Sequence, residues 1–191
     1  MLMQSRAAVL VELNKPLQLW ELLLPPLKPG QVLVEVAYSA VCHSQLLEWR
    51  GKRGEDRFLP HTLGHEGSGV VRAVGAEVVK VKPGDPVVLS WIKGSGQEVL
   101  GTTYRCGALT VNSGAISTFM RHTITCENRV TPIPQAMPLR AAALLGCAVP
   151  TGAGIVLNTA KVRVGDTLAV FGLGGVGLNV VLAAGMAGAS K

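Results

Sequence analysis

The 191-residue sequence sets 18 Lys+Arg against 12 Asp+Glu, is 48% hydrophobic and 16% charged, and contains 23 Gly and 11 Pro. That apolar content buries a sizeable core in one or two domains and excludes a disordered tail. Four scattered cysteines are too few for a disulfide scaffold, and the glycines follow no collagen period. The net charge of +6 is dispersed, with no run beyond pairs such as Lys52-Arg53. With no RNA-binding aromatic signature and no zinc-finger spacing, the expectation is no nucleic-acid partner.

The first sixteen residues do not read as a signal peptide, because Glu12 and Lys15 interrupt the apolar stretch after Arg6. A cytoplasmic, reducing location follows, in which cysteines serve as thiols or metal ligands. Strands are predicted at Arg6–Glu12, Leu17–Leu22 and Gln31–Tyr38, broken by Pro25-Pro26 and Pro29-Gly30. In the third, Val32, Val34 and Val36 share one face, while Gln31, Leu33 and Glu35 make a partly wet one. A helix over Ser44–Trp49 is followed by strands at Gly69–Val74, Val78–Val81 and Val87–Ser90, with a turn at Pro83-Gly84-Asp85. Residues 93–114 are Gly-rich and polar and read as a loop excursion. Pro138 opens a helix to Leu145. Short strands with frequent turns predict a barrel or sandwich.

Residues 141–160 and 167–190 carry no charge and meet the length of a membrane span. Pro150 and Thr151-Gly152 interrupt the first, and six glycines the second. Parallel strands covered on both faces produce the same composition, so no membrane is expected. An anchor at 167–190 stays open as an alternative. Within that stretch Leu168–Phe171 reads as a strand and Leu178–Met186 as a helix, joined by a glycine loop. This is the first unit of a dinucleotide-binding sheet. A lone strand–helix unit leaves apolar faces and edges unpaired, so the chain is expected to be a piece of a longer protein or to pair with further material.

The loop Gly172-Leu173-Gly174-Gly175-Val176-Gly177 is a full G-x-G-x-x-G, whose glycines let backbone approach a pyrophosphate at a helix N-terminus. The acidic residue that separates NAD from NADP stands about 20 residues further on, past Lys191. Candidate metal ligands are Cys42, His43, His61, His65, Cys106, His122, Cys126 and Cys147. They form no CxxC and no HExxH pattern, and their spacing alone names no site.

Several segments together resemble the zinc-dependent medium-chain alcohol dehydrogenases, of the medium-chain dehydrogenase/reductase superfamily. These are Cys42-His43-Ser44, Gly64-His65-Glu66-Gly67-Ser68-Gly69 with Gly75 and Val78, the turns at Gly84-Asp85 and Gly165-Asp166, Leu145 through Gly152, and the glycine loop. The resemblance covers essentially the whole chain, but only the amino-terminal half of a family member. It implies a mixed β and α/β fold: a GroES-like β-barrel catalytic domain over 1–155, then the first strand–helix unit of a truncated Rossmann domain over 156–191.

It further implies one catalytic zinc per chain, held by Cys42, His65 and Cys147, with Glu66 behind them or as a transient ligand. Ser44 matches the hydroxyl that accepts the alcohol proton, His43 a contact to cofactor phosphate, and Thr151 a residue beside the nicotinamide. Trp91 resembles a substrate-pocket wall. The implied cofactors are zinc and NAD or NADP, and the partner is a small alcohol or carbonyl substrate. The full-length form is expected to be a homo-oligomer, and the 191-residue chain alone inactive. Only Cys106 falls within residues 92–114, so no structural zinc is expected. Gln45 and Leu47 replace a family Asp and a relay histidine, which leaves the proton path beyond Ser44 open. Beside the anchor, two alternatives remain: a zinc-free quinone or enoyl reductase of the same superfamily, and a non-catalytic, zinc-stabilised barrel.

Overall fold

The computed structural model describes residues 3–191. The leader reading, so far as it rests on residues 1 and 2, lies outside them. The chain runs through β1 (Gln4–Leu10), β2 (Gln18–Leu23), β3 (Gln31–Ser39), α1 (His43–Trp49), β4 (His61–Thr62), β5 (Glu66–Val74) and β6 (Pro86–Ser90). It continues through β7 (Thr103–Cys106), β8 (Leu109–Asn112), β9 (His122–Cys126), β10 (Val130–Pro132), α2 (Leu139–Ala142), α3 (Ala148–Gly154) and α4 (Gly175–Met186). A closed barrel is formed in the order β1-β2-β7-β8-β4, beside a sheet in the order β10-β6-β5-β3-β9.

Alternation along the strands builds two cores. Inside the barrel Ala7, Val9, Leu22, Tyr104, Val111 and Ile124 pack together. On the sheet Val32 and Val34 of β3 meet Val71, Val87, Leu89 and Val130. β-branched residues suit such a pleated, buried face. Where β5 crosses β3, a Cβ on Gly69 would lie 2.1 Å from the Glu35 carbonyl oxygen. Only glycine allows that approach.

Three sequence expectations change. Residues 93–114 contain the β7–β8 hairpin, which turns at Gly107-Ala108. Its inward residues, Tyr104 and Val111, are fully buried, but polar neighbours such as Thr103, Arg105 and Thr110 masked the alternation. Val78–Val81 is no strand: the Glu127 carboxylate accepts the Val79 and Lys80 N–H groups at 2.6 and 2.7 Å. A side chain has taken the donors a ladder would use. Leu168–Phe171 forms no ladder either, since the described residues place no strand beside it.

After the sheet, α2 tightens into a 3₁₀ turn over Ala143–Gly146, and the path then bends by 53° into α3. The helix continues as a π turn over Ile155–Ala160 and packs on α4 through Val156, Val180, Ala183 and Ala184. Among the described residues no single helix is long and apolar enough to cross a membrane, although this bent pair meets the length and composition of a span.

Candidate metal centre

Three elements distant in sequence each deliver one ligand-type side chain. Cys42 is the extended residue that opens α1. Its N–H donates to Gln45 Oε1 at 2.7 Å, and the Gln45 N–H donates back to the Cys42 carbonyl at 3.1 Å. Gln45, which the sequence offered only as a departure from a family pattern, is thus the buried capping residue that fixes Cys42. His65 lies just before β5, after Gly64 at φ +95°. A Cβ at Gly64 would come within 2.4 Å of Thr118 Oγ1. That hydroxyl donates to the Glu66 carbonyl at 3.0 Å and sits 2.7 Å from Ser39 Oγ, so the turn carrying His65 is clamped. Cys147 stands at the bend between the 3₁₀ turn and α3.

The sulfurs of Cys42 and Cys147 and a ring nitrogen of His65 all lie within 4.8 Å of one another. His65 Nε2 is 3.3 Å from Cys147 Sγ. Burial, then the nearby Arg53 guanidinium, holds His65 below its ordinary pKa, which leaves a neutral imidazole lone pair. Burial, together with the charges of Glu66 and Cys42, pushes the Cys147 thiol up to about 11. Burial likewise raises Glu66, against the backbone N–H groups of Ala148 and Cys147. Glu66 is 3% exposed, and its Oε2 has no hydrogen-bond partner. Two thiol groups, one imidazole and an unpartnered buried carboxylate oxygen behind them suit a zinc ion. Cys42, His65 and Cys147 would hold such an ion, and their two thiolates would balance its charge.

The trio opens on a cavity of about 740 Å³, also lined by Ser44, Phe58, Leu63, Trp91, Ile116, Thr151 and Val176. Thus Ser44, Thr151, Trp91 and one glycine-loop residue share a space with the ligands. Around the loop, a Cβ on Gly177 would stand 1.9 Å from the Gly172 carbonyl oxygen, which fixes the turn against the start of α4. Gly174 precedes α4, Gly175 opens it, and Leu173 is exposed. His43 is exposed and does not line the cavity, and neither does Leu47.

The other ligand-type residues stand elsewhere. Cys106 lies in β7, and the Cys126 thiol donates to Asn128 Oδ1 at 3.0 Å. His122 is half-buried in β9. His61 is buried in the cavity wall, with Nε2 2.9 Å from Asp56 Oδ2 and Nδ1 3.0 Å from the Thr62 carbonyl. Sequence reasoning missed the supporting residues Gln45, Ser39, Thr118, Ser68 and Ser90. Only Gln45 carried a local signal, three positions after Cys42.

Residues 28–135 match the family model of the alcohol dehydrogenase GroES-like domain. The chain is 38% identical to S-(hydroxymethyl)glutathione dehydrogenase of Saccharomyces cerevisiae, over 97% of this chain and 54% of that protein. Alcohol dehydrogenase class-3 of Zea mays is likewise 38% identical, over 97% of this chain and 55% of its own length. Among solved structures, an alcohol dehydrogenase zinc-binding domain protein from Burkholderia ambifaria superposes with TM-score 0.90 at 31% identity, covering 100% of this chain and 58% of that one. Benzyl alcohol dehydrogenase of Acinetobacter calcoaceticus gives 0.86 at 30%, covering 99% and 57%. The chain spans about half the length of the curated relatives it matches. Sequence motifs, barrel and family model agree, and the chain belongs to the alcohol dehydrogenase GroES-like domain family.

Proposed function

We propose that this chain forms the metal-holding, substrate-binding part of a zinc-dependent, NAD(P)-linked oxidoreductase that interconverts an alcohol with an aldehyde or ketone. The observation that carries this reading is the convergence of Cys42, His65 and Cys147 on a cavity shared with Ser44 and Thr151. The names of the relatives support it. Bound there, zinc supplies Lewis-acid polarisation of the substrate oxygen, and the dinucleotide supplies the hydride acceptor or donor.

The protein's own groups do the rest. Ser44 Oγ would accept the proton of the alcohol hydroxyl while passing its own proton on to water or to a cofactor ribose hydroxyl. Phe58, Leu63, Trp91 and Ile116 hold the substrate's apolar part and exclude water from the reacting carbon. Thr151 lies beside the nicotinamide, while Gly172, Gly174, Gly175 and Gly177, with Leu173 and Val176, cradle the pyrophosphate at the start of α4. His43 would contact cofactor phosphate, and Glu66 would stand behind the ligands. One zinc per chain, a catalytic unit over 1–155 and a cofactor unit over 156–191 belong to the same proposal. So do a cytoplasmic location and homo-oligomeric assembly.

The test is alcohol-dependent reduction of NAD+ and NADP+ by a protein carrying this sequence in its full-length form. Turnover in wild type and a roughly 100-fold or greater loss of kcat in Ser44→Ala, with zinc retained, are expected from the usual contribution of a positioned proton acceptor. Turnover unchanged by Ser44→Ala would remove that residue from the reaction. No turnover with any alcohol by the zinc-loaded protein would overturn the function.

A further inference from the structure

The third ligand presents the hardest positioning problem in the site. Cys42 is fixed by its bond to Gln45 and the His65 turn by Thr118, whereas Cys147 arrives on a helical segment from 82 positions beyond His65. Two hydroxyls on adjacent strands grip that segment at its ends. Ser68 Oγ, on β5, donates to the Leu139 carbonyl at 2.6 Å, where α2 begins. Ser90 Oγ, at the end of β6, donates to the Gly146 carbonyl at 2.6 Å, in the peptide that leads into Cys147. Ser90 Oγ also accepts the Ile92 N–H at 3.0 Å, so its proton is directed at Gly146. The register pairs Ser90 with Glu66, the residue after His65. One hydroxyl therefore ties the strand pair behind one ligand to the backbone of another.

The backbone confirms how close this joint is. A Cβ on Gly146 would stand 2.3 Å from the Leu89 carbonyl oxygen and 2.7 Å from Glu66 Cβ, so the peptide rests directly on β5 and β6. The Ser90 hydroxyl holds the Gly146 carbonyl at this joint. Metal sites tolerate only small errors in ligand placement, and groups behind the ligands set that placement.

Resting on the zinc reading above, we propose that Ser90 is a positioning residue for the metal centre: its hydroxyl bond to Gly146 sets where the Cys147 thiolate stands relative to His65. Replacing Ser90 then weakens metal binding without touching a ligand. Losing such a support costs roughly 10- to 100-fold in metal affinity.

The experiment is titration of the metal-free protein with Co2+, read by the visible d–d and sulfur-to-cobalt charge-transfer bands, with Zn2+ competition for affinity. Wild type, Ser90→Ala, Ser90→Thr and Ser90→Val are compared, and thermal melts of the metal-free forms report folding. The expected result is a loss of at least about 10-fold in Co2+ affinity for Ser90→Ala and altered charge-transfer bands, with Ser90→Thr restoring both. Should Ser90→Ala fail to fold, Thr against Val isolates the hydroxyl at nearly constant volume, with the same affinity difference expected. A lowered melting point with unchanged affinity and bands would reduce Ser90 to a structural role and overturn the proposal. If wild type itself takes up no Co2+ or Zn2+, the zinc reading fails first, and the proposal with it.

Discussion

His65 Nε2 stands 3.3 Å from Cys147 Sγ, across 82 positions of sequence. Neither residue has a local reason to meet the other. The contact exists because β5 runs out of the His65 turn, β6 pairs with β5, and the helical segment before Cys147 lies on both strands. The candidate metal centre is therefore a product of the sheet's register, and changes in that packing reach it.

Gly146→Ala tests this dependence. The added methyl meets the Leu89 carbonyl and the Glu66 side chain, and the peptide before Cys147 must lift off the sheet. We expect a loss of about 1–3 kcal/mol of stability from overpacking. Zinc occupancy should fall more steeply than the population of folded protein. Equilibrium unfolding and elemental analysis on the same samples measure the two effects.

The β7–β8 hairpin is part of the barrel core, so Tyr104→Phe should be costly despite its small change in shape. The Tyr104 hydroxyl accepts the Ile124 N–H at 3.0 Å in a fully buried setting. Phe leaves that donor unpaired, and about 1–3 kcal/mol should be lost. Denaturant midpoints at unchanged slope report it; a neutral result would mean that the hairpin is loosely attached.

Glu127 supplies a pH dependence of stability. It is 1% exposed, and its carboxylate accepts the N–H groups of Val79, Lys80 and Gln97 at 2.6, 2.7 and 2.9 Å. Burial acts to raise its pKa, but these bonds and the Lys80 charge outweigh that, and the folded-state value is lowered. The stability it contributes is present above the unfolded carboxylate value of about 4.3 and is lost as pH falls through the lower folded value. Glu127→Ala should therefore cost about 1–3 kcal/mol at neutral pH through unpaired buried donors, and progressively less toward acid. Denaturation curves of both proteins from pH 7 downward should converge.

The sequence displayed the barrel's longer strands, the helix at Ser44–Trp49 and the glycine loop, because each has a local pattern of period, turn or spacing. Cys42, His65 and Cys147 were legible only through resemblance: their spacing has no meaning until three elements fold together. The β7–β8 hairpin was hidden because four-residue strands with polar outward faces look like a loop. Val78–Val81 misled in the opposite direction, since an apolar run cannot show that a glutamate 47 positions from Lys80 will capture its backbone. The hydroxyls of Ser68 and Ser90 gave no signal at all, being ordinary strand residues until a carbonyl comes to rest above them.

The most direct measurement is zinc per chain, by elemental analysis of protein purified without added metal or chelator, for wild type and Cys147→Ser. Wild type should hold about one zinc, as a three-ligand catalytic site requires. Cys147→Ser should lose affinity by more than the roughly 10- to 100-fold cost of losing a mere support, with the barrel still folded. Wild-type protein without zinc after reconstitution, or Cys147→Ser protein that keeps its full complement, would overturn the assignment of the three ligands.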